Sequence, residues 1–235
     1  MQELIRGIGA FLLYLIPVVV GLLAARCLWK VPDELFRKLL HFVLLGIYIP
    51  VLQVFHTWWN AVLFALLVIV FFYPVLALLE RIPAFSAFVN ERKHGEFQSS
   101  LILALSTMAV SITICWGLLD EKLLVLACVY AWGVGDAFAA LVGKRFGRHK
   151  IHIPFADHHK SVEGSAAMFV TSALSVLILL LIRGGLGLGS CLLVSAAGAA
   201  AATFVEMCTK GGYDTITCPA AAMAVILPLI HLLGG

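Results

Sequence analysis

Charge is what this sequence has least of. Only 12% of its 235 residues are Asp, Glu, Lys or Arg, against 62% hydrophobic, and mean hydropathy is +1.05. So little charge excludes an ordinary soluble domain and points to a chain whose surface meets lipid. Paired cysteines are missing as well. The six that occur, Cys27, Cys115, Cys128, Cys191, Cys208 and Cys218, lie in or beside apolar segments with no CxxC spacing. They read as small buried hydrophobes, not as a disulfide framework or a thiolate centre. No linker and no internal repeat divides the chain, so one domain is expected over residues 1–235. The first apolar stretch is too long for a signal-peptide core and no small-residue cleavage site follows it, so it is expected to remain as a membrane helix. A net charge of +3 leaves no electrostatic footprint for nucleic acid, which is not expected as a partner.

Long apolar sequence is what the chain has in abundance. A helix crossing hydrocarbon needs about 20 mostly apolar residues. Eight stretches approach that length: Ile8–Leu28, Leu39–Phe55, Trp59–Leu79, Gln98–Leu118, Leu123–Val142, Gly164–Ile182, Ser190–Cys208 and Ile216–Leu233. The expected fold is therefore all-α, a polytopic integral membrane helical bundle of about eight transmembrane helices, or seven if the short second stretch does not span. With eight, thirteen of the sixteen Lys and Arg fall in or beside the first, third, fifth and seventh connections, leaving Arg6, Lys122 and Arg183 to the other side. The positive-inside rule then makes the odd-numbered connections cytoplasmic and sets both termini outside.

Against this background the polar residues stand out. Asp136 lies within an apolar, helix-length segment, where an ionisable residue is costly and is a functional-site candidate by default. An ion pair with Lys160 is its structural alternative. Gly133, Ala137 and Ala140 leave room beside it for a helix or ligand. The loop that follows carries Lys144, Arg145, Arg148, Lys150 and Lys160, and Glu163 opens the next apolar segment. A carboxylate facing a row of cations suits a divalent metal carrying a polyphosphate. His149, His152, Asp157, His158 and His159 crowd the same loop at spacings too irregular for a zinc site. Arg37 and Lys38 lie one turn before His41 on a helical face, as topology anchors or as phosphate contacts, with His41 able to help move a proton. In the run from Glu91 to Glu96, the last residue follows a glycine turn and opens a helix, as a metal or hydroxyl contact or as part of a solvated charge run. Glu206 and Asp214 bracket a turn containing Lys210, Gly211 and Gly212. With Asp136 they supply hard oxygen ligands for magnesium, unless Asp214 serves as a helix cap. Gly198 and Ala202 share a face with Glu206 at spacings of four, letting a neighbouring helix approach closely. The Gly184–Gly189 stretch has no preceding strand and reads as a flexible turn.

Five segments in order, RKLLHF (Arg37 to Phe42), ERKHGE (Glu91 to Glu96), GDAFAALVGKRFGRHK (Gly135 to Lys150), KSVEGS (Lys160 to Ser165) and Glu206 with GGYDTITCP (Gly211 to Pro219), together resemble the dolichol kinase, phytol kinase and CTP-dependent diacylglycerol kinase family. That family is related to the phosphatidate cytidylyltransferases, which share a similar Asp, a Gly-Arg-Lys loop and a Lys-x-x-Glu-Gly run. The last motif resembles the kinase form GxDNLTxP, with Thr215 where Asn is usual. The resemblance implies a membrane enzyme that uses CTP and Mg2+, or another divalent cation, to phosphorylate a lipid alcohol such as a polyprenol, a phytol-type isoprenoid or diacylglycerol. It implies that Asp136, Lys160 and Glu163 belong to the nucleotide and metal site, with Lys144, Arg145, Arg148 and Lys150 around the phosphates. Glu206 and Asp214 would complete the metal or acceptor side, and Arg37, Lys38, His41 and Glu96 would line the same cytoplasmic pocket. A phosphatidate cytidylyltransferase and a non-enzymatic transporter or lipid-binding scaffold are the alternatives; an oligomer is compatible with all three.

The charge pattern makes one direct prediction. An alkaline phosphatase reporter inserted at Gly185 should be active, and one inserted at Arg148 inactive; the opposite result would invert the topology.

Overall fold

The computed structural model describes residues 2–29, 31–82, 95–151 and 160–235, with backbone alone at residues 96 and 97. Its contacts group into two compact units, Met1–Thr113 and Ile114–Gly235, each described here by itself. Among the described residues the structure is helical apart from one antiparallel bridge between Lys150 and Ser161. Among the described residues, eight spans are long and apolar enough to cross a membrane. This agrees with the number and approximate placement of the apolar stretches and makes the chain a multi-pass helical membrane protein.

The first unit holds α1 (Gln2–Trp29), α2 (Asp33–Gly46), α3 (Tyr48–Val54), α4 (Trp58–Leu79) and α5 (Glu96–Ser111). The second span starts earlier than its hydropathy suggests. Asp33 and Glu34 occupy the first turn of α2, where carboxylates complement the helix dipole. The helix is interrupted at Ile47, where Pro50 has no N–H to give the carbonyl of Gly46. Glu3 at the start of α1 accepts hydrogen bonds from Thr57 Oγ1 (2.9 Å) and Asn60 Nδ2 (2.6 Å) at the start of α4. Below them Phe11, Phe55 and Phe64 meet at ring-centroid distances of 5.5–5.6 Å, so the α1–α4 contact is aromatic at depth and polar at its end.

A π-helical segment, Ile112–Leu118, continues from α5. The second unit is then built from α6 (Lys122–Phe146), α7 (Val162–Arg183), α8 (Leu188–Cys208) and α9 (Asp214–Leu232). α6 is its most buried span and packs on the other three. Small residues decide how closely. Gly135, Ala139 and Gly143 on α6 face Gly164, Met168 and Ser172 on α7, both sets at spacings of four. A methyl on Gly135 would strike Ser172 Oγ, and one on Gly164 would come within 2.8 Å of the Ala139 carbonyl. Ser172 Oγ donates across this crossing to the Ala131 carbonyl, and Ser175 Oγ donates to that of Tyr130 at 3.4 Å. Gly133 and Ala137, expected to admit a neighbour, are buried too, but α7 comes in on the face one residue pair further on. α8 meets α9 through Gly198, whose missing side chain leaves space for Ile226. Gly198, Ala202 and Glu206 are all buried on that face, as expected.

The Gly198 contact gives a stability test. Gly198→Leu should lower the thermal midpoint in detergent, since overpacking a tight core costs about 1–3 kcal/mol. Gly9→Ala, with nothing within 4 Å of the added carbon, should leave it unchanged or raise it. Equal midpoints for the two variants would mean that α8 and α9 do not pack here.

Candidate active site

The site is built where α6 ends, α7 begins and the α8–α9 turn returns. α6 stops at Phe146, with the Gly147 N–H closing onto the Gly143 carbonyl at 3.1 Å. Two backbone hydrogen bonds then zip the ends of the basic loop together: Ile151 N–H to the Lys160 carbonyl and Val162 N–H to the His149 carbonyl, each 3.0 Å. Ser161 caps α7, its Oγ accepting from Gly164 N–H, which satisfies one of the helix's open donors. Glu163 accepts from His149 N–H at 3.2 Å and lies 2.7 Å from His149 Nδ1. Glu163 therefore anchors the loop in this structure. His152, Asp157, His158 and His159 lie outside the described residues, as do Glu91, Arg92, Lys93 and His94.

Lys160 reaches from the end of this loop to α8. Its Nζ donates to Glu206 Oε1 at 2.9 Å, to the Thr209 carbonyl at 2.8 Å and to the Glu206 carbonyl. It thus neutralises a carboxylate and covers the carbonyls at a helix C-terminus, where positive charge is favoured. Both side chains are nearly enclosed, at 13% and 11% exposure. The ion pair that the sequence allowed between Lys160 and Asp136 is found instead between Lys160 and Glu206.

Asp214 is reached through Gly211 and Gly212, whose φ values of 67° and 84° are ones only glycine takes at little cost. The N-cap position of α9 is Tyr213, so Asp214 opens the first turn of the helix. The Asp214 carboxylate turns back to α6, where Oδ2 accepts a 3.1 Å hydrogen bond from Trp132 Nε1. Half-buried Asp136 follows one turn later on α6. Asp136 and Asp214 each lie within electrostatic reach of Glu206, and all three lie within reach of Cys218, buried one turn into α9. Exposed Lys144, Arg145, Arg148, Lys150 and Lys210 occupy the segments at the same end.

Among the described residues no group of three or more His, Cys, Asp or Glu forms a ready metal cage. The donor chemistry fits a different arrangement. Magnesium commonly takes one or two carboxylates and completes its shell with water and substrate phosphate oxygens, and Asp136 with Asp214 offers that pair while Glu206 holds Lys160. The remaining expected residues belong to the first unit. Arg37 pairs with Glu34 at 2.7 Å one turn back along α2, Lys38 is buried, His41 sits edge-on to Phe42, and Glu96 opens α5 with its side chain outside the described atoms. Sequence reasoning passed over Trp132, although it stands four residues before Asp136. It also passed over Glu80, a buried carboxylate that accepts from Gln98 N–H at 3.1 Å.

The enclosed pair carries its own prediction. Lys160→Met should destabilise the protein by about 3–5 kcal/mol because it strands a buried carboxylate, and adding Glu206→Leu should recover much of that loss. No recovery in the double variant, read by thermal midpoint in detergent, would show that the two side chains do not depend on each other.

Among curated proteins and among solved structures, none matches the chain. A family model does: that of the cytidylyltransferase family matches residues 7–235. With the match covering nearly the whole chain, this protein belongs to the cytidylyltransferase family.

Proposed function

We propose that the protein is a CTP-dependent lipid-alcohol kinase, transferring the γ-phosphoryl group of CTP to the hydroxyl of a polyprenol, a phytol-type isoprenoid or diacylglycerol at the cytoplasmic face. Family membership supports an enzyme that handles CTP in a lipid setting. The observation carrying the kinase reading is Asp214. It belongs to the ending that resembles the kinase motif, and it sits within electrostatic reach of Glu206, as Asp136 does.

In this reading the nucleotide phosphates lie against the exposed cations Lys144, Arg145, Arg148 and Lys150, while the lipid enters sideways with its tail left in the bilayer. The hydroxyl oxygen forms a bond to the γ-phosphorus as the bond from that phosphorus to the β,γ-bridging oxygen breaks. CDP leaves with the electron pair. The hydroxyl proton passes to a carboxylate among Asp136, Glu206 and Asp214. Lys160 holds Glu206 and the end of α8, so the acceptor side keeps its shape as charge moves. Asp136 and Asp214 would hold a divalent cation, which supplies neutralisation of the phosphate oxygens. Alignment and charge neutralisation carry most of the catalysis in such transfers.

The family's name favours a second reading, cytidylyl transfer to phosphatidate, in which the acceptor attacks the α-phosphorus and pyrophosphate leaves. One assay separates them. Purified protein with Mg2+, CTP labelled at the α or γ position, a panel of lipid alcohols and phosphatidate should yield a lipid monophosphate carrying the γ label, and CDP. Label from the α position in a CDP-lipid would replace the kinase with the cytidylyltransferase, and no labelled lipid from any acceptor would remove both. Asp136→Asn should cut turnover by roughly 10²–10³-fold, the scale seen when one electrostatic contact to a transition state is removed, with an unchanged elution profile and melting curve. Wild-type turnover in that variant would remove Asp136 from the site.

A further inference from the structure

We infer that Trp132 is a positioning residue whose indole N–H fixes the Asp214 carboxylate for a divalent cation shared with Asp136. The inference rests on the cation reading given above and adds a group that does not itself touch metal or substrate.

Asp136 and Asp214 carry like charge on different helices, so a cation shared between them depends on how each carboxylate is held. Asp214 also follows Gly211 and Gly212, a turn with little intrinsic preference to aim its side chain. The indole supplies a fixed donor for it. Nε1–H can only donate, so its 3.1 Å bond to Oδ2 fixes the rotation of the carboxylate. Trp132 itself is 5% exposed and is carried by the most buried helix of the unit. That helix is locked against α7 by the Gly135 crossing and by the Ser172 hydrogen bond to Ala131, the residue next to Trp132. Spaced by four, Trp132 and Asp136 share one face of α6, so the same rigid surface that presents one carboxylate orients the other. Partners of this kind, which orient a ligand from behind, typically change metal affinity 10- to 100-fold when removed.

Mn2+ binding, followed by electron paramagnetic resonance of the free ion with CTP present, reads this without turnover. The wild-type protein should bind Mn2+, Trp132→Phe should bind it 10- to 100-fold more weakly, and Trp132→His, which restores an N–H donor, should recover part of the difference. Trp59→Phe, at a largely exposed indole in the first unit, should match wild type. Wild-type Mn2+ affinity in Trp132→Phe overturns this inference and leaves the cation reading standing; no Mn2+ binding by the wild-type protein overturns both. Should Trp132→Phe fail to fold, wild-type protein labelled with 5-fluorotryptophan serves instead, its other four indoles assigned by single replacement. The Trp132 signal should shift with Mg2+ and broaden with Mn2+, and a signal insensitive to both overturns the inference.

Discussion

A carboxylate placed among apolar helices must find a positive partner, and in the second unit Lys160 meets that demand. The lysine is tied to the Glu206 side chain and to two carbonyls at the end of α8. Without it, Glu206 would be left buried without the positive partner it has here. Such a pair adds little net stability compared with a hydrophobic substitute, but losing one member is expensive. What it fixes is arrangement: the basic loop, the start of α7, the end of α8 and the turn into α9 are all referred to one ammonium group.

The close approach of α6 to α7 is the second constraint. In a bilayer apolar side chains gain nothing by leaving lipid for one another, so small residues and interhelical hydrogen bonds set which helices touch. Gly135, Gly143 and Gly164 allow backbone contact, and Ser172 adds a hydrogen bond of a type that averages only about 0.6 kcal/mol. Geometry matters more here than that energy. It holds α6 in one rotation, with Trp132 and Asp136 toward the start of α9.

Much of this could be read from the sequence, for identifiable reasons. Spans are legible because a run of about 20 apolar residues has few other uses, and Asp136 stood out because charge is rare within such runs. Gly198, Ala202 and Glu206 were legible as one face because the helical period brings residues four apart into line. Partner choice was not legible. Nothing in the local spacing says that Lys160 selects Glu206 over Asp136, since that depends on where α8 ends in space. Nor does a tryptophan within an apolar run announce that its N–H will meet Asp214, 82 positions away. The interruption at Ile47 was hidden for another reason: hydropathy averages over Pro50, whose missing N–H breaks the ladder.

The α6–α7 pair is fastened at both extremities. At one end the bridge between Lys150 and Ser161 closes the connection; at the other, Arg183 binds Glu121 at 2.7 Å, and between them the helices meet almost backbone to backbone. Two helices clasped in this way act as a strut: turning or sliding one against the other would have to break an ion pair at one end and a backbone bridge at the other.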